Sequence, residues 1–363
     1  MISEYIESMR FLLTLALALP VFAADIRTIA GTGQAGFSGD NGPATAAQIN
    51  NPYGLRIGPD GAMYLCEIGN HRIRRVDLKT GKISTFAGTG EKGYSGDGGP
   101  ALQAQMNEPY EVVFDRAGNL FFTDMQAHVI RRIDRKSGVI TTIAGTGQPG
   151  FSGDGGPAIK AQFRQPHSIA IAPDGSLLIC DIGNNRIRRV DFSSGMISTF
   201  AGTGEKKPTP DGSPLEGTPL NGPRALDVDP QGNLWLVLRE GNAIYRIDPR
   251  QKKIYHVAGT GEKGYTGDGG DAKIAKLNGP KGISWSAHGV FIADTENHAI
   301  RRLDEKTGVI TTVAGTGTRG DGPDGTDPLK CQLARPHGIL AARDGTVYID
   351  DSENHRLRKL GGK

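Results

Sequence analysis

The tetrapeptide Ala-Gly-Thr-Gly begins at Ala30, Ala87, Ala144, Ala201, Ala258 and Ala314, so one unit returns four times after 57 residues and once after 56. A repeat of this period marks a solenoid or a propeller, and the content of one unit decides which. In the unit from Asn51 to Gly88, Gly54-Leu55-Arg56-Ile57 is followed by a Pro59-Asp60-Gly61 turn and then by Met63-Tyr64-Leu65-Cys66. Gly69-Asn70 precedes the run His71 to Val76, and a Lys79-Thr80-Gly81 turn precedes Ile83 to Phe86. Four short β-rich runs divided by glycine turns, with no helical period between them, predict a four-stranded blade. Six such units predict an all-β, six-bladed β-propeller.

The ends of the chain predict how the wheel closes. The last unit supplies three strands only, His337 to Ala341, Val347 to Ile349 and His355 to Leu360, whereas the repeats open with an orphan strand, Ile26 to Ala30. That strand is expected to complete the sixth blade and so to remove an edge that would invite aggregation.

Composition agrees with many tight turns, 53 of the 363 residues being glycine. Hydrophobic content of 37% and charged content of 22% exclude a multispan membrane protein and a disordered chain alike. The formal charge is +3, from 42 basic and 39 acidic residues, with no long run of one sign, so no nucleic-acid partner is expected.

The first residues read as an address. Phe11 to Leu19 are apolar except Thr14, too short to span a bilayer, and lead into Pro20-Val21-Phe22-Ala23-Ala24. A signal peptide over residues 1–23 follows, and a start at Met9 would exclude Glu4 and Glu7 and give a basic head, Met9-Arg10. The mature chain, 24–363, is predicted to be one secreted or periplasmic domain, monomeric and without a membrane span. Cys66, Cys180 and Cys331 cannot all pair, and Cys66 and Cys180 stand at equivalent positions two units apart. They are read as small buried hydrophobes rather than a disulfide scaffold.

The run Asp294-Thr295-Glu296-Asn297-His298-Ala299-Ile300-Arg301, together with Pro-x-Gly and Asp-Gly-x-x-Tyr elements, resembles the NHL repeat. The resemblance covers all six units, and the long Gly-Thr-Gly…Gly-Asp-Gly-Gly-Pro-Ala connection is similar to that of secreted bacterial NHL proteins and of the NHL portion of teneurins. That wider family includes protein-binding and RNA-binding modules and a zinc-dependent amidating lyase. The resemblance therefore implies an architecture more than an activity.

Antiparallel order places the first and third turns of each blade on one face, and the second hairpin and the long connections of about twenty residues on the other, far beyond an ordinary loop of about 4–6. A site is expected on that second face. The residue after the proline that opens each innermost strand should line the mouth of the central channel: Tyr53, Tyr110, His167, Arg224, Lys281 and His337. The ends of the second strands add an outer ring of Glu67, Asp124, Asp181, Arg239, Asp294 and Asp351, which also reads as a set of structural ion pairs with neighbouring arginines such as Arg188. The fourth unit departs most from the pattern, with Pro208 to Pro214 replacing the acidic glycine motif. An anionic group held by Arg224, Arg239 and Lys281, with an apolar or sugar-like part on Tyr53 and Tyr110 and with Glu67 and Glu111 across the channel, is one expectation; a solvated basic patch is the other.

Other motifs lack their context. Gly31-Thr32-Gly33-Gln34-Ala35-Gly36 matches a dinucleotide fingerprint, but Phe37-Ser38-Gly39-Asp40 follows in place of a helix. Zinc would have only His167 and His337 at blade mouths, in blades three and six, while His71, His128, His298 and His355 belong to the repeat. Calcium at Asp321, Asp324 and Asp327 lacks EF-hand spacing. Neither a Gly-x-Ser-x-Gly elbow nor a supported Cys/His pair is present. No cofactor is predicted. The leading reading is an exported recognition scaffold for a protein, peptide or glycan on the long-loop face. The alternative is a metal-dependent lyase or lactonase-like hydrolase at the channel mouth, and RNA binding is a third, disfavoured by export and balanced charge.

Overall fold

The computed structural model describes residues 25–361, so the leader over 1–23 lies outside the described residues. Six antiparallel sheets stand around a central channel, each ordered a-b-c-d from the inside out. In blade one the strands are Pro52–Ile57, Met63–Glu67, Arg72–Val76 and Ile83–Ala87. Blade six takes Ile339–Ala341, Val347–Asp351 and Arg356–Leu360 from the end of the chain and Ile26–Ala30 from its beginning, with Ile26 opposite Leu360. The expected closure is thus present. In blades three, four and five a two-residue fifth strand is added from the incoming connection, for instance Gly156–Pro157 against Met196 and Ile197.

Alternation along each strand sends apolar side chains to both faces, because every blade is covered by a neighbour on either side. Tyr64, Cys66 and Ile73 of blade one meet Met106, Val112 and Phe122 in one such layer, and Leu55, Met63 and Leu65 meet Leu340 and Leu357 in another. Full burial of a Leu or Phe side chain contributes about 1.5–3 kcal/mol, and six layers of this kind form the core. Cys66, Cys180 and Cys331 are free and buried within these layers.

One polar device repeats at each seam. His71, His128, His298 and His355 sit in the left-handed backbone region after strand b, with φ of 50–57°. The Nδ1 of each accepts the backbone N–H that precedes the next blade's opening proline or its equivalent, from Glu108, Gln165, Arg335 and Asn51, at 3.1–3.3 Å. Blades three and four use Asn185 and Asn242, whose Oδ1 atoms accept from Gly222 and Gly279 at 3.2 and 2.9 Å. An accepting Nδ1 must be unprotonated, and burial lowers the pKa of all four histidines below the ordinary 6.5. The repeat histidines are structural clasps.

The long connections leave the channel-mouth face but do not hang over the channel. They run along the rim between blades, where Gly88 N–H reaches the Ala101 carbonyl and Ala101 N–H reaches that of Gly138 in the next blade.

Candidate functional site

The opening prolines bring the six inner-ring residues together as their spacing predicts. Tyr53 stacks on His337 with ring centres 3.8 Å apart and meets Tyr110 edge-on at 5.1 Å, while Tyr110 meets His167 at 4.6 Å. The Arg224 guanidinium lies 4.7 Å from the Tyr110 ring centre and donates to its hydroxyl. Lys281 Nζ donates to Glu296 at 2.8 Å and lies 3.3 Å from His337 Nε2. All are buried except the half-buried Tyr53.

The ring's protonation follows from these contacts. His167 Nδ1 and His337 Nδ1 face the carbonyls of Gln165 and Arg335 at 2.7 and 2.8 Å, so each Nδ1 carries the proton and each Nε2 is an acceptor. Burial pushes His167 down to about 4 and, with Lys281 and Arg224 nearby, holds His337 well below its ordinary value. Burial likewise lowers Lys281 to about 8 and, with Arg239, Arg224 to about 9. Glu296 moves the other way: burial would raise it, but Arg335 and Lys281 bind it and hold it at about 2. Two neutral imidazoles and two cations of weakened basicity therefore share the mouth.

Arg239 is not a member of this ring but lies near enough for its charge to act on Arg224 and His167. It is partly exposed and pairs with Glu240 at 3.3 Å. Strand register also corrects its place in the repeat: Pro52, Pro109 and Pro166 face Glu67, Asp124 and Asp181, and Pro223 faces Leu238, not Arg239. Leu238 is the blade-four counterpart of the carboxylates. Arg239 occupies the next position, where blades one and three carry Ile68 and Ile182.

The outer carboxylates are fully buried and do not face the channel. Glu67, Asp124, Asp181, Asp294 and Asp351 lie 2.9–3.7 Å from Arg74, Arg131, Arg188, Arg301 and Arg358, each of them also fully buried. Each arginine reaches outward to a loop aspartate, Asp40, Asp97, Asp154, Asp268 or Asp321, at 2.7–2.8 Å. Burial raises the ring carboxylates, Glu67 and Asp124 to about 7 and the other three to about 6, against the pull of the arginines. Their structural role holds. Glu67 therefore leaves the set of residues expected across the channel from Arg224.

Beneath the mouth the channel is filled. Arg56 of blade one lies 3.7 Å from Asp227 of blade four, and burial pushes the adjacent Glu111 up to about 7. The cavity that Arg56 and Glu111 share with Tyr53, Tyr110, Lys281 and His337 measures about 20 Å³, room for roughly one water. Asp350 was not anticipated. It is fully buried beside Gly338 and Leu55, neither carboxylate oxygen has a hydrogen-bond partner, and burial raises it well above the ordinary value, which favours the protonated acid. Its only trace in the sequence is a carboxylate at a position that is Cys66, Thr123 or Cys180 elsewhere.

Among the described residues no three His, Cys, Asp or Glu side chains gather as a metal ion would require. Asp321 and Asp324 bind Arg358, and Asp327 accepts the Leu329 N–H. A larger cavity lies in blade four, about 380 Å³, lined by Thr209, Asp211, Glu240, Tyr245 and His256 among others.

A family model for the SMP-30/gluconolactonase/LRE-like region matches residues 29–266, and one for the teneurin NHL domain matches residues 251–332. The chain belongs to the NHL-repeat β-propeller family, of the SMP-30/gluconolactonase/LRE-like kind. This propeller is 28% identical over 292 residues to the chloroplastic protein SUPPRESSOR OF QUENCHING 1 of Arabidopsis thaliana, covering 77% of the chain and 27% of that protein. It is 28% identical over 303 residues to NHL repeat-containing protein 2 of Bos taurus, covering 75% of the chain and 41% of that protein. The propeller thus spans well under half the length of these relatives. A solved auxiliary nutrient binding protein of Bacteroides thetaiotaomicron shares the fold, with TM-score 0.69, 20% identity, and coverage of 93% of this chain and 76% of that one. No helix among the described residues is long and apolar enough to cross a membrane.

Proposed function

We propose that this propeller is an exported recognition scaffold whose long connections and channel-mouth face take up a protein, peptide or glycan. The observation that carries the reading is where exposed apolar side chains fall. Of the ten large hydrophobic residues that are exposed among the described residues, eight lie on the long connections: Phe37, Tyr94, Leu102, Phe151, Ile159, Tyr265, Ile274 and Leu329. Exposed apolar groups gathered in one class of loop suit a binding surface better than random scatter does. At the centre, Tyr53, Arg224 and Lys281 would form the floor of the contact, with Arg239 at its edge.

A lactonase-like or lyase activity at the mouth is the second reading, supported by the displaced pKa values of His167, Lys281 and Arg224 in one cluster. The filled channel favours the scaffold, since a cavity of about 20 Å³ leaves a substrate no room without rearrangement.

The test is a peptide and glycan array probed with labelled protein, alongside a variant carrying Leu102→Asp, Ile159→Asp, Ile274→Asp and Leu329→Asp and a second carrying Arg224→Ala and Arg239→Ala. Selective binding that either variant weakens at least tenfold is expected. Binding of the same array members by all three proteins, or turnover of a chromogenic lactone lost on His337→Ala, would overturn the scaffold reading.

A further inference from the structure

Blade four lacks a filling that every other blade has. In blades one, three and six an arginine on strand c, Arg72, Arg186 or Arg356, donates to the threonine carbonyl of the Gly-Thr-Gly turn: Thr89, Thr203 and Thr32. Its guanidinium covers the second glycine so closely that a Cβ at Gly33, Gly90 or Gly204 would meet it at 2.4 Å or less. In blades two and five Tyr94 and Tyr265 cover the matching Gly147 and Gly317. In blade four the strand position is Ala243 and the aromatic position is Pro208, and a Cβ at Gly261 would meet nothing nearer than 3.7 Å. The space this leaves is the cavity of about 380 Å³.

The walls of that cavity keep the chemistry that holds a guanidinium elsewhere. Thr260 supplies the turn at which Arg72 and Arg186 are bound in their blades, and Asp211 occupies the place of Asp40 and Asp154, which bind the neighbouring inner guanidinium groups of Arg74 and Arg188. Glu240 adds a second carboxylate, and the lining contains no lysine or arginine. Tyr245 fills the inner position of Arg74 and Arg188, and its hydroxyl donates to the Thr209 carbonyl at 2.6 Å, as Arg188 does to Ser152. Asp211 Oδ1 accepts the His256 N–H at 2.8 Å, and the cations that answer the two carboxylates are half-exposed, Lys273 on Asp211 and Arg239 on Glu240, at 3.0 and 3.3 Å. Exposed pairs of this sort hold weakly and are readily exchanged.

We propose that this blade-four cavity binds a guanidinium group on an apolar stem, either a peptide arginine side chain or a small guanidinium compound, in place of the arginine that blades one, three and six supply from their own strand c. The guanidinium would face the Thr260 carbonyl and Asp211, with its stem over Pro208, Ala243 and Tyr245. This ligand class deepens the scaffold reading and rests on it, because the cavity opens among the same long connections.

Calorimetric titration with butylguanidinium, with its neutral isostere butylurea, and with the capped peptide acetyl-Gly-Arg-Gly-amide tests the assignment. Butylguanidinium is expected to bind at least about tenfold more tightly than butylurea, and Asp211→Asn to weaken it about tenfold, as loss of charged hydrogen bonds implies. Ala243→Arg is expected to abolish binding by filling the cavity with the chain's own side chain. A peptide that binds as tightly as butylguanidinium places the source in a polypeptide; a peptide that does not bind places it in a small molecule. No binding of butylguanidinium at millimolar concentration, equal binding of butylurea, or undiminished binding by a folded Ala243→Arg variant would overturn the proposal. Cavity binding that persists when the array finds no loop-dependent partner would count against the scaffold reading alone.

Discussion

Blades three and four come from the same repeat, yet they solve one packing problem in opposite ways. Blade three buries Asp181 against Arg188, caps the pair with Asn184, and lays Phe151 over Arg186 and Arg188. Blade four places Leu238, Gly241, Tyr245, Pro208 and Ala243 at the corresponding positions and keeps the same strand register. The buried ion pair is therefore not what gives a blade its shape. It fastens strand c to the long connection, and in blade four the cavity opens beside its place, where Ala243 and Pro208 stand instead of Arg186 and Phe151.

The largest effect should come from breaking the blade-three pair on one side. Arg188→Met leaves Asp181 buried without its charge partner and is expected to cost about 3–5 kcal/mol, measured by denaturant unfolding. Converting the whole set instead, Asp181→Leu with Asn184→Gly and Arg188→Tyr, is expected to recover about half of that loss or more, since complete replacement of a buried pair by packed apolar groups is commonly near neutral. If the triple variant is less stable than the single one, the equivalence of the two blades is wrong. In blade four, Tyr245→Phe removes one neutral hydrogen bond to Thr209 and should cost about 1 kcal/mol by the same assay.

The seams extend the comparison to pH. Blade four is clasped on both sides by amides, Asn185 before it and Asn242 after it, whereas the other four seams use histidines whose Nδ1 must stay unprotonated. An unfolded histidine takes up a proton near 6.5, and the clasp histidines do so only at lower pH. Between those values these histidines bind more protons in the unfolded chain, so the contribution of the clasps to stability is complete above about 6.5 and declines as the pH falls towards the folded values. Hydrogen exchange at pH 5 should loosen the histidine seams and spare the two around blade four. His128→Asn is expected to change stability little at pH 7 and to flatten the pH dependence of its own seam.

Much of this was legible in the sequence because repetition makes position readable. The period of 57 yields six blades, the missing strand of the last unit yields the closure, and the residue after each opening proline yields the inner ring. The same arithmetic, carried from Asp181 by 57, lands on Leu238, so the placement of Arg239 in the outer ring was an error of register rather than a hidden signal. What could not be read were contacts made across the wheel. The approach of Arg56 to Asp227 and the hydrogen bond from Arg224 to Tyr110 join equivalent positions three and two units apart, and Asp350 is buried without a partner; the period places these residues but does not say which of them meet. The blade-four cavity lies between these cases. Each substitution that makes it is visible in the alignment of units, but only the fold shows that Pro208 and Ala243 empty the same volume.

The most direct measurement is the thermal melting of a variant that rebuilds blade three's filling in blade four, Ala243→Arg with Pro208→Phe. If the cavity has the shape of the arginine and aromatic pair found in blade three, melting should occur at or above the temperature of the unmodified protein. A fall of several degrees, which in a protein of this size corresponds to more than about 1 kcal/mol, would show that the space is not an emptied arginine site.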